Sequence, residues 1–118
     1  MKHFSATRKL GRVRKQRVAL LRSLAKSLII HDRIETTEAK AKELRPYIEK
    51  LITKSKTNSL STQRLIIARL GGNSEREATK LLKEIAPKYK DRSGGYTRIT
   101  KLGGYTEDGR KNAIIEFV

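Results

Sequence analysis

The residues with the clearest capacity for chemistry are cations. Lys2, Arg8, Lys9, Arg12, Arg14, Lys15, Arg17, Arg22 and Lys26 occupy the first stretch of the chain, and the first acidic residue is Asp32. An acid-free basic run has one evident use, which is to neutralise phosphates; its alternative is a solvated tail. A second basic group lies late in the chain, in Asp91-Arg92-Ser93-Gly94-Gly95-Tyr96-Thr97-Arg98. There Arg92 and Arg98 can fork onto phosphate oxygens, and the glycines let a backbone approach closely. Tyr96 has two readings, stacking on an unpaired base or closing the core. Asp91 is placed to orient Arg92.

Other chemistries find little support. The two histidines, His3 and His31, are isolated, no His-Glu-x-x-His pattern occurs, and no carboxylates cluster, so no metal site is expected. His31 reads as a residue favouring the C-terminal end of a helix dipole. With no cysteine there is neither disulfide nor thiolate chemistry, which is compatible with the cytosol. Gly94-Gly95 and Gly103-Gly104 do not open a helix carrying Lys-Ser/Thr in the nucleotide-binding pattern, so they read as turns. Acids such as Glu38 and Glu49 read as parts of solvated helix faces. No cofactor, small-molecule substrate or catalytic residue is expected.

A formal net charge of +16 on 118 residues demands an anionic partner, and the usual suppliers are nucleic acid and anionic membrane. No apolar run approaches the roughly 20 residues that span a bilayer. With no Trp and only two Phe, a surface-lying helix lacks anchors. The N-terminus superficially suits a transit peptide, but it runs into the first helix without a small-residue break and reads as a functional arm.

These cations must be positioned by a single domain. Residues 1–12 show no apolar period and read as a flexible basic arm; residues 13–118 form the domain. From about Val13, Val18, Leu21, Leu24, Ala25, Leu28 and Ile29 fall on one arc of a helix, with Lys15, Arg22 and Lys26 beside it. Arg14 and Arg17 project onto the apolar side, so the helix leaves the core before its N-terminal turns. Arg33 to Thr37 alternates as a strand. Thr37 caps a second helix to about Ser55, lined by Ala41, Leu44, Ile48, Leu51 and Ile52, which Pro46 should kink or interrupt. A third helix carries Leu60, Leu65, Ile66, Ile67, Ala68 and Leu70 nearly all round and reads as central. Gly71-Gly72 stop it. Ser74 and Glu77 form a capping box for a fourth, with Ala78, Leu81, Leu82 and Ile85 buried and Pro87 closing it. Tyr96 to Leu102 enters a strand, Gly103-Gly104 and Gly109 turn the chain, and Ala113 to Val118 is a final strand. The expected fold is α+β in two layers: helix, strand, three helices and two strands, with a small mixed sheet.

The partner reads as folded RNA. The aromatics are too few for a stacking sheet, and the third and fourth helices make a poor helix-turn-helix because Glu75, Glu77 and Glu84 would enter the groove. A basic arm on a small scaffold suits threading into RNA. The alternatives are a nucleoid or regulatory DNA-binding protein, which would dimerise and prefer duplex DNA, and an RNA-acting enzyme.

At this point the sequence resembles a known family, the bacterial-type large-subunit ribosomal protein seventeen. The resemblance rests on Ile34-Glu35-Thr36-Thr37 followed by Lys40-Ala41-Lys42-Glu43-Leu44-Arg45, on the early Arg8-Lys9-Leu10-x-Arg12, and on Pro87-x-Tyr89-x-Asp91-Arg92-x-Gly94-Gly95-Tyr96-Thr97-Arg98-Ile99 with a terminal Ile115-Glu116-Phe117-Val118. It implies an α+β structural protein of the large ribosomal subunit, bound to the long ribosomal RNA near the peptide exit side and beside other large-subunit proteins, in the cytoplasm. It implies no catalysis and no cofactor, and RNA contacts at Arg8, Lys9, Arg12, Arg92, Tyr96, Thr97 and Arg98.

Overall fold

The computed structural model describes residues 10, 13–103 and 111–118. Helix α1 spans Arg14–His31, strand β1 Arg33–Thr37, α2 Glu38–Ser55, α3 Leu60–Leu70 and α4 Glu75–Lys80; β2 spans Thr97–Lys101 and β3 Asn112–Phe117. The α4 segment continues through a π-type turn, Leu81–Ile85, and a 3₁₀ turn, Ala86–Tyr89. The order of elements is the one expected for this α+β chain.

The sheet runs β1-β3-β2 and both pairings are antiparallel, which corrects the expected mixed sheet. Its centre is the last strand. Ile34, Ile115 and Ile99 lie opposite one another across the three strands, as do Arg33, Glu116 and Arg98 one residue away on the other face. The isoleucine face packs toward the helices. One residue of slip would exchange these two rows, so burial pins the register.

Helix α2 is the core element, not α3. Its Ala41, Leu44, Ile48, Leu51 and Ile52 are buried, and it touches α1, α3, all three strands and both turns that prolong α4. Only Ile66 and Leu70 of α3 are buried, while Leu60 is 61% exposed. An apolar surface around a helix signals centrality only if neighbours exist on every side; α3 is held by its C-terminal turn. Fully burying a Leu or Ile contributes roughly 1.5–3 kcal/mol, so the α2 stripe is a principal source of stability.

Two local expectations are also corrected. Of the kink or break expected at Pro46, the break does not occur: α2 is continuous from Glu38 to Ser55. The carbonyl of Lys42 loses its helical donor there, but Lys42 and Pro46 are both exposed, so water can serve it. Ser74 does not cap α4: its hydroxyl donates back to the carbonyls of Gly71 and Gly72, and the residue is fully buried. That tightens the glycine turn after α3, where the helix stops at Gly71 as expected but in an extended positive-φ conformation (φ 85°, ψ 150°) rather than the left-handed helical one. Thr37 does cap α2, accepting from the Lys40 N–H at 3.3 Å.

Candidate nucleic-acid interface

The first basic group divides along α1. Arg14 and Lys15 are exposed and Arg17 is half-buried, and the first fully covered side chain is Ala25, so the helix does leave the core before its N-terminal turns. Its first turn contains no acid. Among the described residues no acidic side chain pairs with Arg14, Lys15, Arg17 or Lys26. Lys2, Arg8, Lys9 and Arg12 lie outside the described residues.

Arg22 differs from its neighbours. It turns into the junction of α1, α2 and α3, where its Cδ lies 3.4 Å from the position a Cβ on Gly71 would occupy, and its Nε is buried without a hydrogen-bond partner. It also lies beside Tyr47, whose hydroxyl donates to the Arg69 carbonyl. Burial pushes the Tyr47 phenol up, against the pull of Arg22 and Arg69. Arg22 therefore belongs to the packing of the helices as much as to an outer basic surface.

The second group is held by a polar stripe on α2. Glu49, Thr53 and Lys56 recur at spacings of four and three, which is one helix face. Oε2 of Glu49 accepts from the Thr97 N–H at 3.2 Å and from Thr97 Oγ1 at 2.7 Å. The Thr53 hydroxyl shares a 3.1 Å hydrogen bond with the Tyr96 hydroxyl. Lys56 donates to the Arg92 carbonyl, and its ammonium lies 4.7 Å from the centre of the Tyr96 ring, within cation–π range. Tyr96 also donates to the Arg92 carbonyl at 3.2 Å. Hydrogen bonding to Lys56 and then to Thr53 holds the Tyr96 phenol below its usual range.

These contacts favour the core-closing reading of Tyr96 over base stacking. The side chain is fully buried, with the Tyr89 ring 5.2 Å away and the Lys56 ammonium near its face, so it has no free face for a base. Thr97 is likewise buried and engaged with Glu49. Within the chain both residues position the loop, Tyr96 through Thr53 and Lys56 and Thr97 through Glu49. Glu49, expected on a solvated face, is half-buried and is the loop's main anchor. The stripe was present in the sequence as spacing, but it is legible only once β2 is known to lie against it.

The loop presents Asp91, Arg92, Ser93, Gly95 and Arg98 outward. Arg92 is oriented by the Gly94 carbonyl, to which its Nε donates at 3.2 Å, and among the described residues no bond joins it to Asp91. Arg98 lies on the outer sheet face, its Nε and Nη2 donating to Glu116 Oε1 at 3.1 and 2.9 Å. Two further acids pair with lysines: Glu38 with Lys42 and Lys101, and Asp32 with Lys80. The bond from Lys42 holds the Glu38 carboxyl below its ordinary value.

Tyr47 faces α1 and α3, whereas Glu49 and Thr53 face the late loop. The structure thus sets the Arg22 junction and the Arg92–Arg98 loop against different faces of α2. Among the described residues no group of His, Cys, Asp or Glu could hold a metal ion, and no helix is long and apolar enough to cross a membrane.

Comparison with known proteins adds a family. A family model described as ribosomal protein L17 matches residues 20–118. A large ribosomal subunit protein bL17 from Nautilia profundicola is 53% identical over 120 residues, covering 100% of this chain and 98% of that protein. Proteins of the same description from Sphingopyxis alaskensis and Persephonella marina are each 50% identical, with 100% of this chain covered and 84% and 95% of theirs.

Proposed function

This chain belongs to the ribosomal protein L17 family, and from that premise we propose that it is a structural constituent of the large ribosomal subunit which binds the subunit's RNA through phosphates. The contacts come from Lys2, Arg8, Lys9 and Arg12 of the arm, from Arg14, Lys15, Arg17 and Lys26 of α1, and from Arg92 and Arg98. The role is one of assembly and stabilisation, without catalysis or cofactor, beside neighbouring large-subunit proteins on the cytoplasmic ribosome. The observation that carries this reading is the N-terminal half of α1, where exposed cations stand in a helix with no acid among them. Such a helix is self-repelling until an anion lies against it.

Phosphate contacts position rather than specify, so affinity should fall steeply as salt rises. Tyr96 and Thr97 support the reading indirectly by fixing the backbone from which Arg92 and Arg98 project. The test is sedimentation of tagged protein from lysate through sucrose gradients at moderate and high salt. Co-migration with large subunits through the high-salt wash is expected. Protein left at the top of the gradient, or tracking with DNA, would overturn it in favour of a nucleoid or regulatory DNA-binding protein.

A further inference from the structure

A groove of about 460 Å³ runs between the C-terminal half of α2 and the late loop. That volume falls in the roughly 300–1,000 Å³ range of small-ligand sites. Lys50 and Lys54 form one wall, Ser93 and Gly94 the other, and Pro46 and Thr53 contribute to its lining. Neither lysine was among the residues singled out by sequence. We propose that this groove receives one nucleotide of an RNA strand, its phosphate between Lys50 and Lys54 and its sugar and base against Pro46 and the open backbone of Gly94. The inference rests on the RNA-binding reading above and adds a site to it.

Five observations carry it. Lys50 and Lys54 stand one turn apart on α2, so their Cβ atoms are about 5–6 Å apart and the like charges repel. Among the described residues no acid pairs with either. The one carboxylate in the groove, Glu49, has its Oε2 committed to Thr97. At Gly94 nothing lies within 4 Å of where a Cβ would stand, so the backbone there is approachable from the groove. The lining is mostly apolar in character, which suits a base and sugar more than a bare inorganic anion. An acidic peptide would meet the same charges, but the net charge of +16 matches a partner with one charge per residue.

The test is lysine acetylation of the intact protein, read by mass spectrometry, with and without deproteinised large-subunit ribosomal RNA. It is paired with salt-dependent binding of the K50Q/K54Q variant. Expected are selective protection of Lys50 and Lys54, on the order of fivefold over Lys83 of the α4 segment, and a salt slope lowered by about 1. If wild-type protein binds the RNA with a steep salt slope while both lysines stay as reactive as Lys83, the groove proposal is overturned and the RNA-binding reading stands. Equal protection of Lys83 also overturns it. Protection seen only in assembled subunits, and not with naked RNA, assigns the groove to a protein partner and overturns it as well. If the wild-type protein does not bind the RNA, the broader reading fails and this one with it.

Discussion

Replacing Glu49 by alanine tests whether the late loop is built on α2. Its Oε2 accepts two hydrogen bonds from Thr97, at 3.2 Å from the N–H and 2.7 Å from Oγ1, and Thr97 is buried. A hydrogen bond to a charged acceptor contributes about 1.5–3 kcal/mol net. Because the two bonds share one oxygen and Glu49 is only half-buried, the lower end applies, and the pair is expected to contribute about 2–3 kcal/mol. For a domain of this size roughly 4 °C of melting temperature accompanies each kcal/mol, so the midpoint should fall by about 8–12 °C. The assay is urea and thermal unfolding followed by circular dichroism, on Glu49→Ala, Thr97→Val and the double variant. The double variant should cost less than the two singles together by at least about 1 kcal/mol, because both remove one interaction. A Glu49→Ala cost within about 0.5 kcal/mol, as for an ordinary surface site, would refute the reasoning, and so would strict additivity.

Three further outcomes are expected. Changing Arg14, Lys15 and Arg17 together to Gln should lower the salt slope of RNA binding by about 2 while leaving the melting temperature nearly unchanged, as measured by filter binding across a KCl series. Pro46→Ala should stabilise the protein by about 1–3 kcal/mol, because an alanine restores the helical hydrogen bond that proline removes from α2; urea midpoints would show it. Glu38 has a folded-state pKa below its ordinary 4.5, held there by Lys42, so its stabilising contribution is present above the unfolded value and is lost as pH falls through the lower folded value. Melting curves of Glu38→Gln and wild type should therefore differ near neutrality and converge as the pH drops below 4.5.

Much of the scaffold was legible in the sequence because its signals are local. The period of α1, the alternation of β1, the Thr37 cap and the Gly71 stop each depend on a few adjacent residues, and the elements fall where those signals put them. What was hidden depends on which elements meet. The antiparallel sheet follows from β3 inserting between β1 and β2, a pairing no local pattern encodes. Leu60 to Leu70 carries enough apolar residues for a central helix, yet only its last turns find neighbours. Pro46 obeys its usual chemistry but sits where solvent takes the freed carbonyl. At the site, exposed cations such as Arg14 and Arg92 were readable from composition. The inward roles of Tyr96, Thr97, Arg22 and Glu49 required knowing what lies across from them.

The measurement closest to the central claim is ultraviolet crosslinking within purified large subunits, with the crosslinked peptides of this chain identified by mass spectrometry. The account predicts RNA adducts on peptides from the N-terminal turns of α1, around Arg14 to Arg17, and from the loop between Arg92 and Arg98. Adducts confined to α3, or the chain's absence from salt-washed large subunits, would contradict it.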